Sequence, residues 1–146
     1  MRKVLTLVLV LLGTVGLLAA CGGGTAATPT PTAEIPQAQP GQIVNLTPQE
    51  AYQFLQAHPE AVFLDVRTPR EYQAGHAPGT VLIPVDELAS RLEEVPRDRP
   101  IVVICRSGNR SLRAAQILVD AGYPQVYNVT LGLIGWSQAG LPITTQ

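Results

Sequence analysis

The stretch Ile101-Val102-Val103-Ile104-Cys105-Arg106-Ser107-Gly108-Asn109-Arg110-Ser111 decides how this chain folds. Its first four residues are β-branched and lie between Pro100 and a polar loop, which favours a short buried strand over a helix. From Ser111 the spacing changes: Ala114, Ala115, Ile117, Leu118 and Ala121 recur at helical intervals, and Gly122 stops them. Cys105 therefore stands where a strand ends, on a loop that opens into a helix N-terminus. Backbone N–H groups at such an end attract anions, and a thiolate is an anion. Arg106 and Arg110 add positive charge, and the loop itself contains no carboxylate to cancel it. A free thiol with a pKa near 8.5 falls to roughly 3.5–7.5 in surroundings of this kind, which makes it a nucleophile. The alternative for a lone cysteine ending a strand is a small buried hydrophobe.

Outward from this unit, strand and helix patterns alternate. Ile43-Val44-Asn45-Leu46 reads as an entry strand, and Thr47-Pro48-Gln49-Glu50 combines a capping threonine, a first-turn proline and a glutamate three residues after the cap. Ala61 to Arg67 reads as a second buried strand, with Asp65 and Arg67 on one side by period two. Thr68-Pro69-Arg70-Glu71 repeats the cap-proline-glutamate pattern and starts a brief helix. Gly75 to Gly79 is a turn cluster before a strand at Thr80 to Ile83. Asp86 to Val95 reads as one helix with Leu88, Leu92 and Val95 on a face, and Val126 to Val129 as the last strand. A final helix spans Leu131 to Ala139 around Trp136. Such alternation implies right-handed βαβ units: an α/β fold with a parallel sheet and helices on both faces. Sites in these sheets form at the carboxyl ends of strands, where Asp65, Arg67 and Cys105 all fall.

Three segments in this order resemble the rhodanese-like sulfurtransferases. Cys105-Arg106-Ser107-Gly108-Asn109-Arg110-Ser111 is similar to their active-site loop. Leu64-Asp65-Val66-Arg67 through Gly79 is similar to a second signature, with Ala77 and Thr80 as departures from the family's Gly-His-Ile-Pro-Gly-Ala. Gly132, Trp136, Gly140 and Pro142 follow the C-terminal pattern, where Leu131 takes the place of the first of two glycines, a change expected to be remote from the chemistry. The resemblance covers Leu46 to Ile143 and implies a rhodanese-like sheet in which Cys105 attacks a sulfur donor such as thiosulfate and carries the sulfur as a persulfide. It implies that backbone N–H groups of the loop, Arg106 to Ser111, cradle that sulfur, that Arg110 holds donor charge, and that a thiol or cyanide-like acceptor removes the sulfur. No cofactor and no metal is implied. Asp65 and Arg67 would then support the site by orienting the loop or an arginine, or would form a structural ion pair. His76 and Trp136 read as structural.

Two other functions use similar parts. Cysteine-loop phosphatases and arsenate reductases place five residues between cysteine and arginine, whereas Arg106 to Asn109 are four, a ring better sized for one sulfur atom than for a tetrahedral oxyanion. A persulfide relay or binding module with slow turnover would carry the same loop.

The N-terminus is of a different kind. Met1-Arg2-Lys3 precedes an apolar run from Val4 to Ala20, the layout of a secretory signal. Leu18-Ala19-Ala20-Cys21 resembles a bacterial lipobox, which implies lipid on Cys21 and an extracytoplasmic, lipid-anchored protein on a bacterial membrane. The expected organisation is a signal over 1–20, a tether rich in Pro, Thr and Gly over 21–41, and a folded domain over 42–146. The tether has Glu34 as its only charge and too few large apolar residues for a core. Hydrophobic residues make up 46% of the chain, enough for one core after the N-terminus is discounted. Beyond Lys3, eight arginines face eleven acids, a balance of −3, so no basic surface for nucleic acid survives.

Overall fold

A computed structural model of the chain describes residues 34–146. The expected signal segment, the lipobox at Cys21 and most of the tether lie outside these residues. The described chain runs β1 (Ile43–Leu46), α1 (Pro48–Ala57), β2 (Val62–Asp65), α2 (Pro69–Gln73), β3 (Thr80–Leu82), α3 (Val85–Leu88), a 3-10 turn (Leu92–Glu94), β4 (Ile101–Ile104), α4 (Asn109–Asp120), β5 (Val126–Val129) and α5 (Gly132–Gln138). The five strands form one parallel sheet in the order β1-β5-β4-β2-β3. The expected parallel α/β fold is the one observed.

β4 lies at the centre, and all four of its residues are fully buried. Successive side chains enter opposite layers: Ile101, Val103 and Cys105 join a core with Leu64, Val85, Leu88, Ala114 and Leu118, while Val102 and Ile104 join Ala51, Phe54, Phe63 and Trp136. Thus α3 and α4 cover one face, and α1 and α5 the other. Burying each of these strand side chains contributes about 1.5–3 kcal/mol, and this is why an uninterrupted apolar run, without polar alternation, marks the central strand. Asp65 pairs in register with Ile104, and the Val66 N–H donates to the Ile104 carbonyl at 3.0 Å. The ends of β2 and β4 are therefore level, and the two loops that follow them are neighbours.

Three boundaries differ from the sequence reading. The run expected as one helix over Asp86–Val95 divides into α3 and the 3-10 turn. Ser90 directs both its N–H (3.0 Å) and its hydroxyl (2.8 Å) to the Glu87 carbonyl, which tightens the chain, and Arg91 bridges Glu87 and Glu94 across the break. Leu88 and Val95 are nevertheless buried, so the apolar spacing reported the core correctly but not the backbone that delivers it. At the other end, packing begins before Gln42: Ile35 lies against the second core, Ala38 is buried, and the Ala38 N–H donates to the Tyr127 hydroxyl at 3.0 Å. A buried tyrosine needs a partner for its hydroxyl, and the entering chain supplies one. Finally, α4 starts at Asn109, two residues earlier than the apolar spacing suggested.

Candidate active site

The loop after β4 turns through Gly108, whose φ of 96° lies in the left-handed region that glycine occupies without steric cost. This conformation aims the Gly108 N–H back at Cys105, 3.2 Å from Sγ. The Gly108 carbonyl in turn accepts from the Ser111 hydroxyl at 3.0 Å and from the Leu112 N–H at 3.1 Å, which fixes the loop to the first turn of α4. Cys105 has no exposed surface, and it is the free cysteine among the described residues. Burial pushes its thiol up. The Ser111 hydroxyl and the N–H groups of Ser111, Ser107 and Gly108 outweigh that, holding the thiol below its ordinary value. The Ser111 hydroxyl is the largest of these lowering contacts, and the backbone N–H groups follow it.

The arginines have other partners. Arg110 makes a two-pronged ion pair with Glu71 of α2: Nη1 donates to Oε2 at 2.8 Å and Nη2 to Oε1 at 2.7 Å. The Arg110 guanidinium beside Glu71 brings that carboxyl down from 4.5 to about 2. The loop lacks a carboxylate of its own, yet its positive charge is partly cancelled from a different element. Glu71 is the residue that sequence reasoning missed at the site: its position three residues after Thr68 marked it as a cap, and nothing local to it signalled Arg110. Arg106 is exposed, and no carboxylate among the described residues pairs with it. Ser107 and Asn109 are also exposed on the loop.

Asp65 and Arg67 form the structural ion pair, not a direct brace on the cysteine loop. Both are buried, with Arg67 Nη2 2.7 Å from Asp65 Oδ2 and Nε within 3.0 Å of both carboxylate oxygens. The remaining donors of Arg67 go to the carbonyls of Glu71 (3.1 Å) and Gly75 (2.9 Å), so this guanidinium ties α2 to the end of β2. Burial of this kind is tolerated because each guanidinium nitrogen finds an acceptor. His76 is buried, stacked on Tyr72, with its ring nitrogens on the Tyr72 and Gln146 carbonyls, consistent with a structural role.

The segment after β5 corrects the expectation that Leu131 is remote from the chemistry. Leu133 donates its N–H to the Cys105 carbonyl at 2.8 Å and Ile134 to that of Arg106 at 3.1 Å. Gly132 allows this approach: a β-carbon there would lie 2.6 Å from the Arg106 carbonyl carbon and closer still to the Cys105 oxygen. Leu131 just before it adopts φ 59°, a left-handed conformation that costs a branched residue about 1–2 kcal/mol. The second of the family's two glycines thus meets a steric demand of the cysteine loop. The first position demands a left-handed backbone, which leucine tolerates here with its side chain largely exposed.

A buried, hydrogen-bonded thiol at the carboxyl end of a central parallel strand, followed by an arginine five residues on, is the arrangement of a cysteine loop on an α/β sheet. Residues 47–139 match the rhodanese-like domain, and the chain belongs to that family. A sulfurtransferase of Allochromatium vinosum is 39% identical over 84 residues, 58% of this chain and 78% of that protein. The thiosulfate sulfurtransferase GlpE of Actinobacillus pleuropneumoniae serotype 3 is 33% identical over 103 residues, covering 70% of this chain and 94% of that one. Among solved structures, a rhodanese-related protein of Thermoplasma volcanium superposes with a TM-score of 0.64 at 30% identity, over 70% of this chain and 99% of its own.

Proposed function

We propose that the protein is a sulfurtransferase that moves the outer sulfur of a donor such as thiosulfate to a thiophilic acceptor through a persulfide on Cys105. The Cys105 thiolate attacks the outer sulfur, the donor S–S bond breaks, and sulfite leaves with the bonding electrons. An acceptor then attacks the same sulfur and releases Cys105 as thiolate. The observation that carries this reading is the Gly108 N–H turned onto Sγ within a four-residue ring, a set of donors that suits the charge developing on one sulfur atom. The full burial of Cys105 favours, as a second reading, a persulfide relay that discharges slowly without a partner. A cysteine-loop phosphatase is disfavoured by the shorter ring.

Treatment with thiosulfate is expected to add the mass of one sulfur (about 32 Da) to Cys105, removable by cyanide and absent in Cys105→Ser, whose hydroxyl forms no persulfide. Phosphate release from an aryl phosphate without a sulfur adduct would overturn the assignment. An adduct that discharges slowly with every acceptor selects the relay.

We also propose that Cys21 carries lipid and holds the protein on the outer side of a bacterial membrane, a reading supported by the charged start, the apolar run and Leu18-Ala19-Ala20-Cys21. Cell fractionation of Cys21→Ser is expected to show loss of the mature membrane-bound form. Unchanged processing and retention would refute the anchor.

A further inference from the structure

The loop that carries Cys105 is gripped from behind by the first turn of α5. The first N–H groups of a helix have no partner inside it. In α5 two of them, from Leu133 and Ile134, donate to the carbonyls of Cys105 (2.8 Å) and Arg106 (3.1 Å), so the chain itself fills this helix end. The planar peptide bond turns that grip into a direction, because a trans peptide points its N–H opposite to its carbonyl. The Cys105 carbonyl shares its plane with the Arg106 N–H, and the Arg106 carbonyl shares its plane with the Ser107 N–H. Holding both carbonyls toward α5 therefore turns both N–H groups away from it, into the loop. The Ser107 N–H is one of the donors that hold the Cys105 thiol below its ordinary value. Arg106 and Ser107 are exposed, so burial of their side chains does not fix these peptides. Gly108, whose N–H lies 3.2 Å from Sγ, is backed by the same turn: a β-carbon on it would stand 3.1 Å from the Leu131 nitrogen.

We propose that the first turn of α5 tunes the reactivity of Cys105 by aiming the loop's N–H donors at its sulfur, with Gly132 and Ile134 as positioning residues that touch no reactant. Gly132 is the narrow point. At φ 52° it is left-handed, and a β-carbon there would lie 2.6 Å from the Arg106 carbonyl carbon and 2.8 Å from its oxygen. These are backbone atoms, which cannot swing aside as the end of a side chain can, so a side chain at this position turns the two peptides. Ile134 acts through its N–H, for its side chain is 43% exposed. Gly135, on the same helix, supplies the contrast. A β-carbon there would lie 2.6 Å from Leu131 Cβ and 3.1 Å from Pro48 Cγ, side-chain atoms outside the cysteine loop. Sulfur uptake as a readout of this role rests on the sulfurtransferase reading; alkylation of the thiol does not.

The test compares Gly132→Ala, Ile134→Pro and Gly135→Ala in the full chain. Proline is accepted in the first turn of a helix, so Ile134→Pro removes the donor to the Arg106 carbonyl and leaves the helix ladder in place. Alkylation across pH is followed by mass at the Cys105 peptide, below the melting transition of each variant, beside persulfide formation from thiosulfate. Gly132→Ala and Ile134→Pro are each expected to raise the apparent pKa of Cys105 alkylation by about one pH unit, the effect of weakening one hydrogen bond to a charged group. Sulfur uptake should slow about tenfold in both, since the same donors face the charge on the reacting sulfur. Gly135→Ala is expected to lower the melting temperature and to keep the parent's alkylation profile and sulfur uptake. Parent-like profiles in Gly132→Ala and Ile134→Pro would overturn the positioning role. So would a Gly135→Ala profile displaced as far as theirs, because loosening α5 would then suffice. If one of the first two variants does not fold, the other decides. A parent protein that alkylates at Cys105 but takes up no sulfur would overturn the sulfurtransferase and leave the positioning role to the alkylation profiles.

Discussion

The chain writes the same helix start twice, Thr47-Pro48-Gln49-Glu50 and Thr68-Pro69-Arg70-Glu71, and the fold uses the two copies differently. Both form complete capping boxes: each threonine hydroxyl accepts the N–H of its glutamate, and each glutamate accepts the N–H of its threonine. Beyond that they diverge. α1 has ten residues and buries Pro48, Ala51 and Phe54 in the core. α2 has five residues and buries none. A helix that short is marginal without tertiary support, and α2 has no apolar face to provide it. Polar and stacking contacts hold it instead: Arg67 on the Glu71 and Gly75 carbonyls, Arg110 on the Glu71 carboxylate, and Tyr72 stacked on His76 with its hydroxyl on the Thr80 carbonyl. One copy of the motif is a helix start and nothing more. The other joins the support of the second strand to the cysteine loop.

The largest effect that separates the two copies is expected from their anchors. Phe54→Ala should cost about 3–5 kcal/mol through lost burial and the cavity left under α1. Arg67→Met should cost about the same, 3–5 kcal/mol, because it leaves the Asp65 carboxylate buried and unpaired. The two should differ in function when each is measured below its melting transition. Phe54→Ala lies in the opposite core layer from Cys105 and should retain the thiol's reactivity, whereas Arg67→Met releases α2, and with it Glu71 and Arg110. Denaturant unfolding gives the first quantity and the pH profile of Cys105 alkylation the second. Equal alkylation profiles would show that α2 does not transmit to the loop.

A smaller effect is expected at Glu71 itself. Glu71→Gln removes a negative charge from beside Arg110 and lets that guanidinium leave its fixed position. The thiol of Cys105 should titrate at lower pH, since the field at the loop becomes more positive, while kcat/KM for thiosulfate falls about tenfold through loss of positioning. The same variant changes acid stability. The Glu71 carboxyl titrates at about 2 in the fold against an ordinary 4.5, chiefly because Arg110 hydrogen-bonds to it. Its contribution is therefore complete above about pH 4.5 and is lost as pH falls toward 2. The parent should lose stability across that window, and Glu71→Gln should lose less. An identical acid slope in the two proteins would mean that the pair with Arg110 is not formed in solution.

How much of this was legible in the sequence follows the range of each interaction. The strands, the two capping boxes and the start of the central loop are written in contiguous residues, and they stand where their patterns placed them. Leu88 and Val95 announced a buried face, yet Ser90 and Arg91 broke the helix that would have joined them, through polar contacts that apolar spacing does not report. Arg110 and Glu71 are 39 residues apart and meet only because β2 and β4 are neighbours ending level with each other. Nothing in either local segment encodes that. The same holds for Gly132, whose need for an absent side chain comes from the Arg106 and Cys105 carbonyls. The family resemblance supplied the glycine as a pattern; the close approach gives the reason for it.

The smallest effect is expected at Glu50, and it sharpens the comparison most. Thr47 is the main reason its carboxyl lies below the ordinary range: the backbone N–H contributes most and the hydroxyl next. Glutamine at the third position of a capping box still accepts from the threonine N–H, so Glu50→Gln removes only the charge near the helix N-terminus. That loss is worth about 0.3–1 kcal/mol and should leave sulfur transfer and the alkylation profile of Cys105 unchanged. Glu71→Gln makes the same local change in the same motif. Whatever it costs beyond Glu50→Gln, in acid stability and in use of the donor, therefore measures the contact with Arg110 and not the cap. Measured together by denaturant unfolding at pH 7 and by thiosulfate kinetics, the two variants should agree to within about 1 kcal/mol in their local cost and part about tenfold in kcat/KM. If Glu50→Gln lowered kcat/KM as much as Glu71→Gln does, the effect at Glu71 would be a matter of helix stability, and the link from α2 to the cysteine loop would lose its support.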